Sequence, residues 1–143
     1  MKLVDANVLL YAVNSDTDKH TASAKWLNQA LSGTEPVGFA WLALVAFIRL
    51  STKVGIFASP LTVQQATSVL EAWLAQPNSL VLHPTPRHAA LLAGLLAATG
   101  TGGNLANDAH LGTLAVEYDA TVVTYDSDFG RFPGVRWATP ESV

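Results

Sequence analysis

The chain contains no cysteine. That excludes a disulfide framework, a thiolate zinc site and a cysteine nucleophile, and it suits a reducing compartment. Charge is scarce: 13% of residues are charged, eight Lys and Arg stand against eleven Asp and Glu, and the net charge is −3. A general nucleic-acid coat is basic, so any nucleic-acid contact here has to be local, metal-assisted or shared between subunits. Long apolar runs are missing. No stretch reaches the ~18 uninterrupted apolar residues of a membrane span, and the most apolar region, Val37 to Leu50, carries Arg49. The N-terminus does not have the shape of a signal peptide. Asp5 interrupts the first apolar run, and Val8 to Val13 is short with only Lys2 as a basic lead. The expectation is a cytoplasmic protein with no membrane association. Repeats and low-complexity tracts are absent too. What the chain does have is apolar content: half of its 143 residues are hydrophobic, enough for a real core in a single domain spanning 1–143.

Short apolar runs alternate with helical patterns. Lys2 to Asp5 is continuous rather than alternating, which suits a strand buried on both faces. Asn7 is placed to cap a short helix through Val8 to Tyr11, and Asp16 or Asp18 to cap the next, over His20 to Leu31. Val37 to Phe39 reads as a strand and Trp41 to Lys53 as a helix, with Arg49 and Lys53 one turn apart on the same side. Val54 to Pro60 is a loop holding Phe57. Helices follow from Thr62 to Pro77, Arg87 to Thr99 and Asn104 to Tyr118, with strands at Leu80 to Leu82, Thr121 to Thr124 and, at an edge, Val135 to Ala138. Asp126 to Phe132 reads as an exposed loop. The alternation predicts an α/β sandwich of three layers, with a short, mostly parallel central sheet of four or five strands flanked by helices.

In an open parallel sheet, function gathers at the carboxyl ends of the strands. Asp5 ends the first strand, and Asp126 and Asp128 lie just past Thr121 to Thr124. The helix carrying Asp108 runs back along the sheet into that last strand, so its N-terminal end lies at the same edge. If the two strands are neighbours, Asp5, Asp108, Asp126 and Asp128 converge. Carboxylates this close require protonation or a cation. Oxygen ligands select hard ions, Mg²⁺ or Mn²⁺, and such a site can orient water and offset charge on a phosphodiester during in-line attack. Asn7 and Thr124 are placed to hydrogen-bond the carboxylates.

Each of these features has a duller role when taken alone. An Asp after a strand is most often a turn or helix cap, and Asp108 near a helix start favours the helix dipole. The joint occurrence at topologically matched positions is what points to chemistry. Asp16, Asp18 and Asp119 fit turns and caps. The four histidines form no ligand pattern. Trp26, Trp41, Trp73, Phe47 and Phe57 read as core, with part of the set available to a partner surface.

Three stretches then resemble a known family. Val4-Asp5-Ala6-Asn7, Asn107-Asp108-Ala109-His110-Leu111 and Thr124-Tyr125-Asp126-Ser127-Asp128-Phe129 are similar to the PIN domain, and more narrowly to the VapC toxins of bacterial toxin–antitoxin pairs. Phe47-Ile48-Arg49-Leu50 and Arg131-Phe132-Pro133-Gly134-Val135 share that likeness, which runs in order through nearly the whole chain. The resemblance implies a Mg²⁺- or Mn²⁺-dependent endoribonuclease acting on structured RNA such as tRNA or rRNA. It implies a homodimer held inactive by a cognate VapB-type antitoxin. The family's acidic roles fall on Asp5, Asp108 and Asp126, with Asp128 in support, and Arg49, Lys53 and Arg131 are candidates for RNA phosphates.

One position departs from the pattern. Many family members carry Glu three residues before the arginine matched by Arg49; here it is Ala46, and Trp41 to Ser51 holds no acid. The alternative is therefore a catalytically weak or inactive module that binds antitoxin or RNA without cutting. A phosphatase of the haloacid dehalogenase type needs a second Asp two residues after the first, where this chain has Asn7. An antitoxin is expected to lay an amphipathic segment along the apolar helices of the first half and reach a basic side chain into the acidic pocket.

Overall fold

The computed structural model covers residues 1–143. Its elements in order are β1 (Lys2–Val4), α1 (Ala6–Val13), α2 (His20–Leu31), β2 (Val37–Phe39), α3 (Trp41–Ser51), α4 (Val63–Leu74), β3 (Ser79–Val81), α5 (His88–Thr99), α6 (Leu105–Glu117), β4 (Thr121–Val123), a 3-10 turn (Ser127–Arg131) and β5 (Arg136–Ala138). The sheet has the order β3-β2-β1-β4-β5, and every pairing is parallel. β1 lies against β4 with Leu3 opposite Val122 and Val4 opposite Val123, which is the adjacency that convergence of the carboxylates requires. The chain steps from β1 outward to β2 and β3, then returns to the other side of β1 as β4. The two carboxyl ends that carry Asp5 and Asp126 therefore flank the point where strand order reverses, the usual crevice for a site in such sheets.

Side chains alternate across the short strands and build two cores. Val4, Val37, Phe39 and Val123 face one layer with Leu9, Leu27, Leu44, Phe47, Leu70 and Trp73 from α1 to α4. Leu3 and Val122 face the other with Leu95, Leu114, Phe129 and Phe132 from α5, α6 and the 3-10 turn. The result is the expected three-layer sandwich. Gly38 in β2 leaves room for Leu82: a Cβ there would lie 2.8 Å from Leu82 Cδ1, so that side chain would have to shift. Gly100, at φ +70°, caps α5 in the left-handed region that glycine adopts without steric cost. No helix is long and apolar enough to cross a membrane.

Several local expectations are corrected. Asp5, not Asn7, caps α1, its carboxylate accepting from Ala6 N, and this frees Asn7 to reach across to β4. Neither Asp16 nor Asp18 caps α2; the cap position is Lys19, without a side-chain hydrogen bond, because the preceding turn is closed locally by Asn14 and Thr17. Lys53 is not on the helix that carries Arg49, since α3 ends at Ser51. Asp126 to Phe132 is not a plain exposed loop. Phe129 and Phe132 are buried, and their three-residue spacing puts both on one side of a 3-10 turn. Trp41 is not core: it is 47% exposed, whereas Trp26 and Trp73 are each 9% exposed.

Candidate functional site

At the carboxyl edge, Asp5 sits in a hydrogen-bond frame that ties β1 to β4. Its Oδ1 accepts from Ala6 N at 2.7 Å. Its Oδ2 accepts from Thr124 Oγ1 at 2.7 Å and from Asn7 Nδ2 at 3.1 Å. Asn7 also donates to Thr124 Oγ1 at 3.1 Å and accepts from Tyr125 N at 3.2 Å. Thr124 Oγ1 in turn accepts from Asp126 N at 2.9 Å, and Asp126 Oδ1 accepts from Asp128 N at 2.9 Å. One continuous chain of bonds thus fixes Asp5, Asn7, Thr124, Asp126 and the start of the 3-10 turn. Thr124 is wholly buried, so these bonds are shielded from competing water.

Asp108 arrives from the other layer, in the first turn of α6. Ligand oxygens of Asp108, Asp126 and Asp128 all lie within 4.8 Å of one another. Asp5 is adjacent but outside that trio; its oxygens already serve the frame. The electrostatic consequence falls on Asp108, whose carboxyl is pushed up to about 7. Burial is the largest cause, followed by the charges of Asp126 and Asp5, a shared hydrogen bond with Asp126 and the charge of Asp128. Asp5 is also raised, by burial first and by Asp126, against the lowering effect of its bonds from Thr124 and Ala6. A set of oxygen-only donors that repel one another when ionised is the chemistry a hard divalent cation compensates. The acidic cluster is consistent with a metal site.

The metal-free protein should register this repulsion. A carboxyl raised from 3.8 in the unfolded chain to about 7 in the fold makes the folded state the better proton binder. Its stabilising contribution is complete below about 3.8 and lost as pH rises through about 7. Because Asp108 is only half-buried, solvent screening softens the effect. Thermal melts from pH 5 to 8 without divalent ions should therefore fall more steeply in the wild type than in Asp108→Asn. Parallel curves for the two proteins would contradict the repulsion.

A cleft of about 550 Å³ opens beside these groups. Asp5, Asn107 and Asp108 line one side; Trp41, Ala46 and Arg49 of α3 are among those lining the other. Of the three cations considered for phosphate contacts, Arg49 alone lines the cleft; Lys53 and Arg131 are exposed and do not. Ala46 faces the cleft, so the absent acid is absent from this site and not from a distant surface.

One polar constellation escaped the sequence reading. His88 Nδ1 meets Glu117 Oε2 at 3.0 Å, and His88 Nε2 meets His110 Nδ1 at 2.9 Å. Thr85 Oγ1 donates to Glu117 Oε1 at 2.7 Å. Glu117 has a side chain only 1% exposed. Burial alone would raise its carboxyl, but the donors Thr85 and His88 together hold it below its ordinary value. The chain of bonds ties α5 to α6, and its signal was the seven-residue spacing of His110 and Glu117, which places both on one face of α6.

The PIN domain family matches residues 2–135. Ribonuclease VapC37 of Mycobacterium tuberculosis is 56% identical over 143 residues, covering 100% of this chain and 99% of that protein. Ribonuclease VapC33 of the same species is 35% identical over 140 residues, covering 98% of each. Among solved structures, M. tuberculosis VapC20, described as a sarcin-ricin loop cleaving toxin, superposes with a TM-score of 0.69 at 16% identity over 95% of this chain and 99% of that one. Rickettsia felis VapBC2 bound to a promoter DNA fragment gives a TM-score of 0.67 at 19% identity over 96% and 97%. The fold agrees throughout, and the full-length identity is high enough to fix kinship: the chain belongs to the PIN-domain family and, within it, to the VapC proteins.

Proposed function

We propose that the chain, as one catalytic domain over 1–143, is a Mg²⁺- or Mn²⁺-dependent endoribonuclease, the toxin of a type II toxin–antitoxin pair. The observation that carries this reading is the meeting of Asp108, Asp126 and Asp128 within 4.8 Å, at the edge of a cleft large enough for one nucleotide unit. These three would hold the cation, with Asp5 completing the negative shell. Bound there, the cation supplies an activated water and offsets charge on the scissile phosphodiester. The chain's own residues do the rest. Asn7 and Thr124 orient Asp5, and the 3-10 turn fixes Asp126 against Asp128. Arg49, in the cleft lining, is the cation positioned to bind a substrate phosphate. Kinship to ribonucleases along the whole chain supports the reaction class, and the VapBC complexes that share the fold support a VapB-type antitoxin as partner; a homodimeric toxin is proposed from the family resemblance alone. Structured RNA such as tRNA or rRNA is the proposed substrate. The test is cleavage of a structured RNA by the purified chain in Mg²⁺ or Mn²⁺ and its loss in chelator; cleavage that persists in chelator would refute metal dependence.

A second reading, a module that binds antitoxin or RNA but cuts weakly or not at all, is favoured by one observation. Ala46 leaves the α3 wall of the cleft without a carboxylate. Ala46→Glu separates the two. If residue 46 sits within reach of the cation, the added ligand should tighten Mn²⁺ binding about 10-fold, the scale on which single ligand-shell changes act. Titration calorimetry reads this directly. An unchanged affinity would mean that the site is complete without that wall.

A further inference from the structure

Helix α3 is apolar on nearly every face, and the fold uses only part of it. Ala43, Leu44 and Phe47 enter the core, while Trp41, Leu42 and Val45 are left 47%, 37% and 56% exposed. These three line the same cleft as Asp5, Asp108 and Arg49. The Trp41 ring forms none of the aromatic pairs that engage Trp73 and the other rings, and its indole N–H has no acceptor. Trp26 and Trp73 are each 9% exposed, so the layer beneath α3 does accommodate tryptophan. Trp41 is excluded by its place at the helix start, on the cleft side.

Charge narrows what this shelf is for. With eight Lys and Arg and a net charge of −3, the chain has little capacity for counterion release, which dominates ordinary nucleic-acid affinity. Affinity for RNA then has to come from the cation, from Arg49 and from contacts that tolerate an acidic surface. Base–aromatic stacking is such a contact, and it selects unpaired nucleotides, whose faces are free. A peptide would need an apolar side chain for the shelf and a separate basic one for the carboxylates. A nucleotide uses both ends at once, its phosphate at the acid–cation edge and its base on the indole.

We propose that Trp41 is the stacking platform for one unpaired RNA base next to the scissile phosphate, a specificity-determining contact of the cleft. This rests on the ribonuclease reading above. Trp41→Ala should raise KM for a stem-loop RNA roughly 10- to 100-fold, the span of one base–aromatic stack, with kcat and Mn²⁺ affinity little changed, and Trp41→Phe should restore most of the loss. The decisive arm is a double-mutant cycle. Abasic substrates, one for each nucleotide flanking the cut, are compared between wild type and Trp41→Ala. Stacking predicts that one abasic site costs the wild type as much as the substitution does, and costs Trp41→Ala nothing further. Independent, additive penalties would overturn the proposal, as would unchanged KM with loss of antitoxin binding alone. The same cycle run as oligonucleotide binding in Ca²⁺, by fluorescence polarisation, reads stacking without cleavage. If the wild type never cuts but the cycle still couples, the ribonuclease reading fails and the platform stands; if it cuts without coupling, the platform fails alone.

Discussion

Replacing Asp108 by asparagine should abolish RNA cleavage while making the metal-free protein more stable at pH 8. The two effects have one cause. Asp108 sits against Asp126 and Asp128 with ligand oxygens within 4.8 Å, and its carboxyl is pushed up to about 7 by burial and by the charges of Asp126, Asp5 and Asp128. Asparagine keeps the size of the side chain and its place in the first turn of α6. It removes the charge that repels the neighbours and also the charge that would bind the cation. A loss of at least ~10³-fold in kcat/KM is expected, about 4 kcal/mol of transition-state stabilisation, because a preorganised charge in the site has no substitute from solvent. Thermal melts at pH 8 should rise in the metal-free variant and lose their response to Mn²⁺. Wild-type cleavage by Asp108→Asn would remove the residue from the chemistry. Lost cleavage accompanied by a lower melting temperature would instead indicate a damaged fold.

The second large effect lies beneath the acids. Phe129 follows Asp128 directly, is fully buried, and meets Phe132 edge-to-face at a centroid distance of 6.1 Å. It anchors the 3-10 turn onto the layer formed by α5 and α6. Phe129→Ala removes that anchor and leaves a cavity, at an expected cost of about 3–5 kcal/mol. For a chain of this size that corresponds to a fall in melting temperature of roughly 10 °C or more. Because Asp126 and Asp128 depend on the turn for their position, Mn²⁺ affinity should fall as well. Asp128→Asn gives the contrast: weakened metal binding with little loss of stability. A drop of less than about 2 °C in Phe129→Ala would mean that the turn is held by its hydrogen bonds alone.

The frame of the site was legible because it depends on strand ends. A parallel α/β arrangement puts the carboxyl ends of neighbouring strands and the N-terminal ends of returning helices on one edge, so Asp5, Asp108 and Asp126 could be gathered from topology. The roles inside the frame were less legible. Asp5 and Asn7 are both good helix caps, and only the approach of Thr124 and Tyr125 decides that Asp5 caps while Asn7 bridges. The segment after β4 looked polar because Asp126, Ser127 and Asp128 lead it, which hid the inward pair Phe129 and Phe132. Trp41 is hard to place from sequence for the opposite reason. When a helix is apolar all round, periodicity does not identify the buried face. The Glu117–His88–His110 chain joins residues on two helices; spacing along α6 puts His110 and Glu117 on one face, but no pattern along a single segment places His88 against them.

The proposed metal site draws three carboxylates, Asp108, Asp126 and Asp128, from two layers of the fold. Anomalous diffraction from crystals soaked in Mn²⁺ tests it most directly. A single strong peak bounded by the carboxylate oxygens of Asp108, Asp126 and Asp128 is expected, and it should disappear in Asp108→Asn. A strong peak elsewhere, or none at this cluster in a preparation that cuts RNA with Mn²⁺, would contradict it.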